Sequence, residues 1–207
     1  MTLKQRSVLP IAVICALSVL GGGAQAADGK GRFALKGAAT ATCERYLQAV
    51  KEGGKALASF GGWLEGYMTA VNQYSAETYD VVSFESSQSL AIALANHCNK
   101  HPEKRYFHAN RDMLAALFKN RIKEASPLHK AAPADGAAGI YVYEETIKRL
   151  QTRLTELKLY GGPIDGLYND GTRAAVRQFQ TKQGLEPNAV PTQKTLQNLF
   201  RGDSASK

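Results

Sequence analysis

The sequence predicts an all-α protein in two parts, and three observations carry that prediction. Apolar side chains recur at helical spacing between Cys43 and Ile122, they do so again between Ile147 and Leu199, and a stretch rich in proline, glycine and alanine separates the two series. At 207 residues, with 44% hydrophobic and 21% charged side chains, the chain has room for two small domains and is too apolar for wholesale disorder.

The first element stands apart from the fold. Lys4 and Arg6 precede an apolar run from Val8 to Leu20 that closes on Ala24-Gln25-Ala26, the order of a secretory signal peptide cut after Ala26. The run falls short of the ~18 apolar residues expected of a membrane span, so residues 1–26 read as a signal and no transmembrane segment follows. Cys15 leaves with it. The remaining chain carries 24 basic and 18 acidic side chains, a net charge of +6. That excess is mild and spread over both halves, and with export it argues against nucleic acid as a partner. Two cysteines remain, Cys43 and Cys98, and an even pair in an exported protein reads as one disulfide. Closing a loop of about 55 residues would stabilise the fold by about 4 kcal/mol in the chain-entropy picture.

Ala27 to Ala41, rich in Gly, Ala and Lys without a period, reads as a mobile lead-in. Cys43, Tyr46, Leu47 and Val50 then mark a short helix, which Gly53-Gly54 and Gly61-Gly62 interrupt before a second helix with Trp63, Tyr67, Met68 and Val71 on its buried face. Gly66 on that helix is expected to let another backbone come close. A third helix runs from Ser86 through Leu90, Ile92 and Leu94 to Cys98 and stops before Pro102, and a fourth runs from Tyr106 to about Ile122. Residues 42–125 thus form a helical domain whose disulfide ties the Cys43 helix to the Cys98 helix. Residues 126–139, with two prolines, two glycines and five alanines, read as a linker.

The second domain, 140–202, opens with Ile147, Leu150, Leu154 and Leu157 on one helix face. Tyr160-Gly161-Gly162-Pro163-Ile164-Asp165-Gly166 then forces a reversal. Thr172 opens a helix bearing Ala175, Val176 and Phe179, which Gly184 ends, and Thr192 is the N-cap of a last helix bearing Leu196 and Leu199. The strings Ile147-Lys-Arg-Leu-Gln-Thr-Arg-Leu154, Pro163-Ile-Asp-Gly166, Thr172-Arg-Ala-Ala-Val-Arg-Gln-Phe-Gln180 and Thr195-Leu-Gln-Asn-Leu199 resemble the peptidoglycan-binding type 1 domain in order and spacing. The resemblance implies a three-helix module that anchors exported proteins to the cell wall and holds no catalytic residues of its own. Three positions depart from the family: Asn169, Lys158 and Ala189 each stand where the family often has Gly.

Six residues are candidates for ligand contact. Tyr160 and Tyr168 offer flat amphipathic faces for a sugar, with a place in the core equally open to Tyr168, and Arg173 and Arg177, each first a solvated surface side chain, offer planar cations for stem-peptide or lactyl carboxylates. Asp165 and Thr172 complete the set, although a structural role comes first for each: Asp165 fixes its own turn and Thr172 caps its helix.

Residues 42–125 show no catalytic set. Both cysteines are committed to each other. His97 and His101 lie four apart without an intervening Glu, which gives no metal site, and Glu65 is a lone acid on a helix. No cofactor is implied. The arrangement Cys43-x-x-Tyr46, Gly62-Trp63-Leu64-x-Gly66-Tyr67 and Leu94-Ala-Asn-His-Cys98-x-x-His101-Pro102 is similar to small periplasmic helical proteins, namely HdeA-type acid-stress chaperones and Tai-type immunity proteins. That resemblance implies a disulfide-stapled bundle that binds other proteins. The expectation is therefore a non-catalytic periplasmic protein that binds peptidoglycan through its C-terminal domain and a protein partner through its helical one. A cell-wall remodelling hydrolase and a periplasmic chaperone or immunity protein are the alternatives.

Overall fold

A computed structural model describes residues 27–135 and 138–201. The expected signal peptide, with Cys15, and the end of the chain past residue 201 lie outside the described residues. The chain divides into two units, Met1–Ala34 and Leu35–Lys207. In the first, the Asp28 carboxylate accepts the backbone N–H groups of Lys30 and Arg32 and the Arg32 Nε, at 2.8 to 2.9 Å. These bonds hold its carboxyl below the usual range.

The second unit begins within the stretch expected to be a mobile lead-in. Ala39 is fully buried on a 3-10 turn, Gly37–Thr40, so the later part of that stretch belongs to the folded second unit. Thr42 caps α1 (Cys43–Glu52), its hydroxyl accepting the Arg45 N–H, and Gly53 ends the helix with a positive φ. Helix α2 (Gly54–Tyr74) then runs unbroken through Gly61-Gly62, where an interruption was expected. Two glycines lower helix propensity by only about 1 kcal/mol each, and the burial of Phe60, Leu64 and Met68 along one face outweighs it. Nor does Gly66 admit a close backbone, because a Cβ built there meets nothing within 4 Å. Helix α3 (Ser87–Lys100) is capped by Ser86, and α4 (Tyr106–Leu117) gives way to a 3-10 turn at Phe118–Asn120.

Cys43 and Cys98 form the expected disulfide between α1 and α3, and both are fully buried. Around it Tyr46, Phe60 and Tyr106 pack with ring centroids 4.8 to 5.3 Å apart. Their hydroxyls are satisfied by backbone carbonyls: Tyr46 donates to Ala91 and Tyr106 to Phe60. A second apolar cluster joins Leu64, Met68, Val81, Leu90 and Leu114.

The fold is mostly helical, but the all-α expectation needs correction. Leu128–Ala131 (β1) pairs antiparallel with Ile140–Tyr143 (β2), with Leu128 opposite Tyr143 and Ala131 opposite Ile140. The first strand lies inside the stretch expected to be a linker. Its buried residue, Ala131, is too small to give an apolar alternation, whereas Ile140-Tyr-Val-Tyr143 has the β-branched and aromatic content of a strand. Helices α5 (Glu144–Glu156), α6 (Asp170–Lys182) and α7 (Gln193–Arg201) follow. Their core joins Ile147, Leu150, Leu154, Val176, Phe179, Leu196 and Leu199 to Ala131 and Val142 of the hairpin.

The hairpin and α5 also bind the helical segment. Thr146 Oγ1 donates to the Ser83 carbonyl at 2.7 Å, Tyr143 Oη to Asp80 at 2.9 Å, and the Arg149 guanidinium to the carbonyls of Asn120 and Arg121. Burial, and then the bond to Asp80, push the Tyr143 hydroxyl up to about 12. No described helix is long and apolar enough to cross a membrane.

Candidate binding site

The C-terminal module is built on two turns, each wrapped around a buried glutamine. Gln151 on α5 is fully buried. Its Nε2 lies within hydrogen-bonding distance of Asp165 Oδ1 (2.8 Å), the Leu167 carbonyl (3.1 Å) and Thr172 Oγ1 (3.1 Å), while its Oε1 accepts the Gly166 N–H at 2.9 Å. Gln180 on α6 repeats the arrangement. Its Nε2 reaches Asn188 Oδ1 (3.0 Å), the Val190 carbonyl (2.8 Å) and Thr195 Oγ1 (3.1 Å), and its Oε1 accepts the Ala189 N–H at 2.9 Å. Both amides are satisfied on both atoms, as burial demands.

The partners of the two turns correspond at a constant offset of 23 residues: Asp165 with Asn188, Gly166 with Ala189, Leu167 with Val190, Asn169 with Thr192 and Thr172 with Thr195. Asp165 and Asn188 each accept the N–H two residues on, and Asn169 and Thr192 each accept the N–H three residues on. Sequence reading missed this repeat because only Thr172 and Thr195 are identical within it. The signal is a pattern of residue classes, a turn-forming Asp or Asn followed by a capping Asn or Thr and then a threonine.

Backbone geometry distinguishes the three positions where the resembled family often has Gly. Lys158 and Ala189 hold φ of 59° and 56°, the left-handed region that favours glycine. Asn169 instead has an extended backbone and supplies the N-cap of α6. Thr172 is therefore not the cap that the sequence suggested; it sits inside the first turn, fully buried, against Gln151. Gly166 is required where it stands, since a Cβ there would lie 2.4 Å from the Glu144 side chain.

Four of the six candidate contact residues therefore serve the scaffold. Tyr160, expected as a sugar-stacking face, and Tyr168, for which the core was the equal alternative, are buried at 7% and 8% exposure. Tyr160 Oη donates to the Pro163 carbonyl at 2.8 Å, and Tyr168 Oη to the Ala189 carbonyl at 2.6 Å, which ties the first turn to the second. Burial pushes the Tyr168 hydroxyl well above its usual range. Asp165 is half-buried and holds its turn; the Gln151 amide, and then the Leu167 N–H, keep its carboxyl below the usual carboxylate range.

The two arginines differ. Arg173 pairs with Asp170 and donates to the Tyr168 carbonyl at 3.0 Å, whereas Arg177, one turn further along α6, is exposed. Beside the first turn the module also exposes Ile164 and Leu167, each at 48%. In the helical segment the His97 and His101 rings lie 4.8 Å apart. The Lys104 ammonium stands 3.4 Å from His97 Nε2 and 2.6 Å from Asp112. Burial, followed by the charge of Lys104, lowers the His97 pKa.

Residues 143–199 match a family of putative peptidoglycan binding domains. Over 63 residues the chain is 36% identical to the spore cortex-lytic enzyme of Oceanobacillus iheyensis, a stretch that covers 30% of this chain and 23% of that protein. The chain thus spans less than a quarter of the length of the curated relative it matches. No solved structure matches it. A lytic enzyme among its relatives overturns the expectation that the chain is not an enzyme.

Proposed function

We propose that the chain is a cell-wall protein that binds peptidoglycan through its C-terminal module and presents its disulfide-stapled helical segment to the wall. The match of residues 143–199 to the peptidoglycan-binding family is the observation that carries this reading. In the same reading residues 1–26 direct export to the periplasm, and exposed Arg177 pairs with a stem-peptide or lactyl carboxylate. The helical segment, which exposes Tyr74 and Ile92, faces a protein partner.

A second reading, breakdown of the wall itself, is favoured by the relative whose name is that of a cortex-lytic enzyme. Co-sedimentation of the full chain with purified sacculi tests the first reading, and muropeptide analysis of the supernatant tests the second. Pelleting is the expected result, and a chain that stays in solution overturns the binding reading. Soluble muropeptides in the supernatant establish the lytic one.

A further inference from the structure

The end of α3, the loop after it and α4 bring four titratable side chains together. The His97 and His101 rings lie tilted, with centroids 4.8 Å apart. The Lys104 ammonium bridges to α4, standing 3.4 Å from His97 Nε2 and 2.6 Å from Asp112 Oδ2. An ammonium can only donate, so the His97 nitrogen that faces it must present a lone pair, which makes the ring neutral with its proton on Nδ1. The charges that act on His97 come from Lys104 in the loop, from His101 and Lys100 at its own end of α3, and from Asp112 on α4. Asp112 is the one carboxylate among them, and Lys104 and Arg111 already share it. A proton on His97 would set two donors facing each other across that 3.4 Å, and Lys104 would have to withdraw.

What Lys104 keeps in place is the start of α1. Its own carbonyl accepts the Cys43 N–H at 2.7 Å, and the Pro102 carbonyl accepts the Glu44 N–H at 2.9 Å. Thr42 and Arg105 are bridged alongside. The first N–H groups of a helix have no partner within it, so this loop closes an end of α1 that would otherwise stand open, at the buried Cys43–Cys98 disulfide.

We propose that this cluster is a pH-sensitive catch: neutral His97 seats Lys104 and keeps the loop on α1, and protonation of His97 in mildly acidic surroundings releases the loop from the helix. The catch lies in α3, α4 and the loop between them, and works whether or not the C-terminal module binds the wall. Burial, followed by the Lys104 charge, holds the His97 pKa below the ordinary 6.5. The seat is therefore complete above pH 6.5 and is lost as the pH falls through the lower folded value.

The test is NMR on the isotope-labelled full chain. Imidazole nitrogen shifts at about pH 7.5 should show His97 neutral and protonated on Nδ1; a proton on Nε2 at that pH overturns the proposal. Hydrogen exchange of the Cys43 and Glu44 amides, corrected for intrinsic rates, is then compared between about pH 7.5 and about pH 5.5. Their protection should fall several-fold, with a ceiling of roughly tenfold because the lower pH lies about one unit below the ordinary histidine value. The Gly166 amide, held by Gln151 in the other half of the molecule, should keep its protection. The midpoint of the fall should coincide with titration of the His97 ring. His97→Gln, which offers Lys104 an acceptor that does not titrate, should leave the two amides equally protected at both pH values. No fall in the native chain, an equal fall at Gly166, a midpoint that follows another histidine, or an undiminished fall in His97→Gln would each overturn the catch.

Discussion

The helical segment and the C-terminal module solve the same packing problem by different means. In α1 to α4 the centre is a buried disulfide ringed by Tyr46, Phe60 and Tyr106, whose few polar atoms find backbone carbonyls. In the module the organising groups are two buried amides, and each glutamine satisfies a whole turn from inside. The first region gains from a covalent constraint on its unfolded chain, and the second from polar groups that would be costly to leave unpaired. A covalent staple fixes which helices meet, whereas an amide inside a turn fixes the path of the backbone itself.

The largest predicted effect breaks the first half of that comparison. Replacing Cys43 and Cys98 by alanine should lower stability by up to about 4 kcal/mol, read from denaturant unfolding in non-reducing buffer, and reductant should change the native chain but not the variant. Next comes the second half. Gln151→Leu strips partners from Gly166 and Thr172 and should cost about 3 kcal/mol, with Gln180→Leu costing nearly as much through Ala189 and Thr195. Unequal losses would show that the two turns, alike in geometry, differ in strain.

A smaller change sharpens the comparison by strengthening the module. Lys158→Gly relieves a left-handed backbone at an exposed site and should raise the melting temperature slightly, by about 0.5 kcal/mol of stability. Ala189→Gly should do less, since it also removes a buried methyl group. The smallest effect concerns pH. The Asp165 carboxyl is held below its unfolded value of 3.8, so its contribution is complete above that pH and is lost as the pH falls through the lower folded value. Asp165→Asn should flatten the acid limb of a stability profile in that window and leave the neutral plateau little changed.

Much of the scaffold was legible in the sequence. The Cys43–Cys98 pairing followed from two cysteines in a chain read as exported, and the apolar spacing of Ile147, Leu150 and Leu154 located α5. The hairpin escaped because β1 buries a single alanine in a stretch whose composition speaks of a linker. Tyr160 was misplaced for a related reason. An aromatic side chain in a glycine-rich turn looks exposed until the turn is seen to fold back over it. The meeting of residues 80–83 with Tyr143 and Thr146 could not be read at all, since it joins residues some sixty positions apart. Such a meeting depends on tertiary packing that no local pattern encodes.

The hairpin fixes how the helical segment is held against the C-terminal module. A flexible connection of about 14 residues would let the two ends wander by roughly 20 Å, and each end would then act as an independent body on a leash. Here the β1–β2 pairing, the Thr146 bond to Ser83 and the Arg149 clamp on the carbonyls of Asn120 and Arg121 replace the leash with a bracket. On the wall-binding reading, α1 to α4 meet whatever the module grips at one height and one heading, so a single orientation is sampled in place of a hemisphere of them.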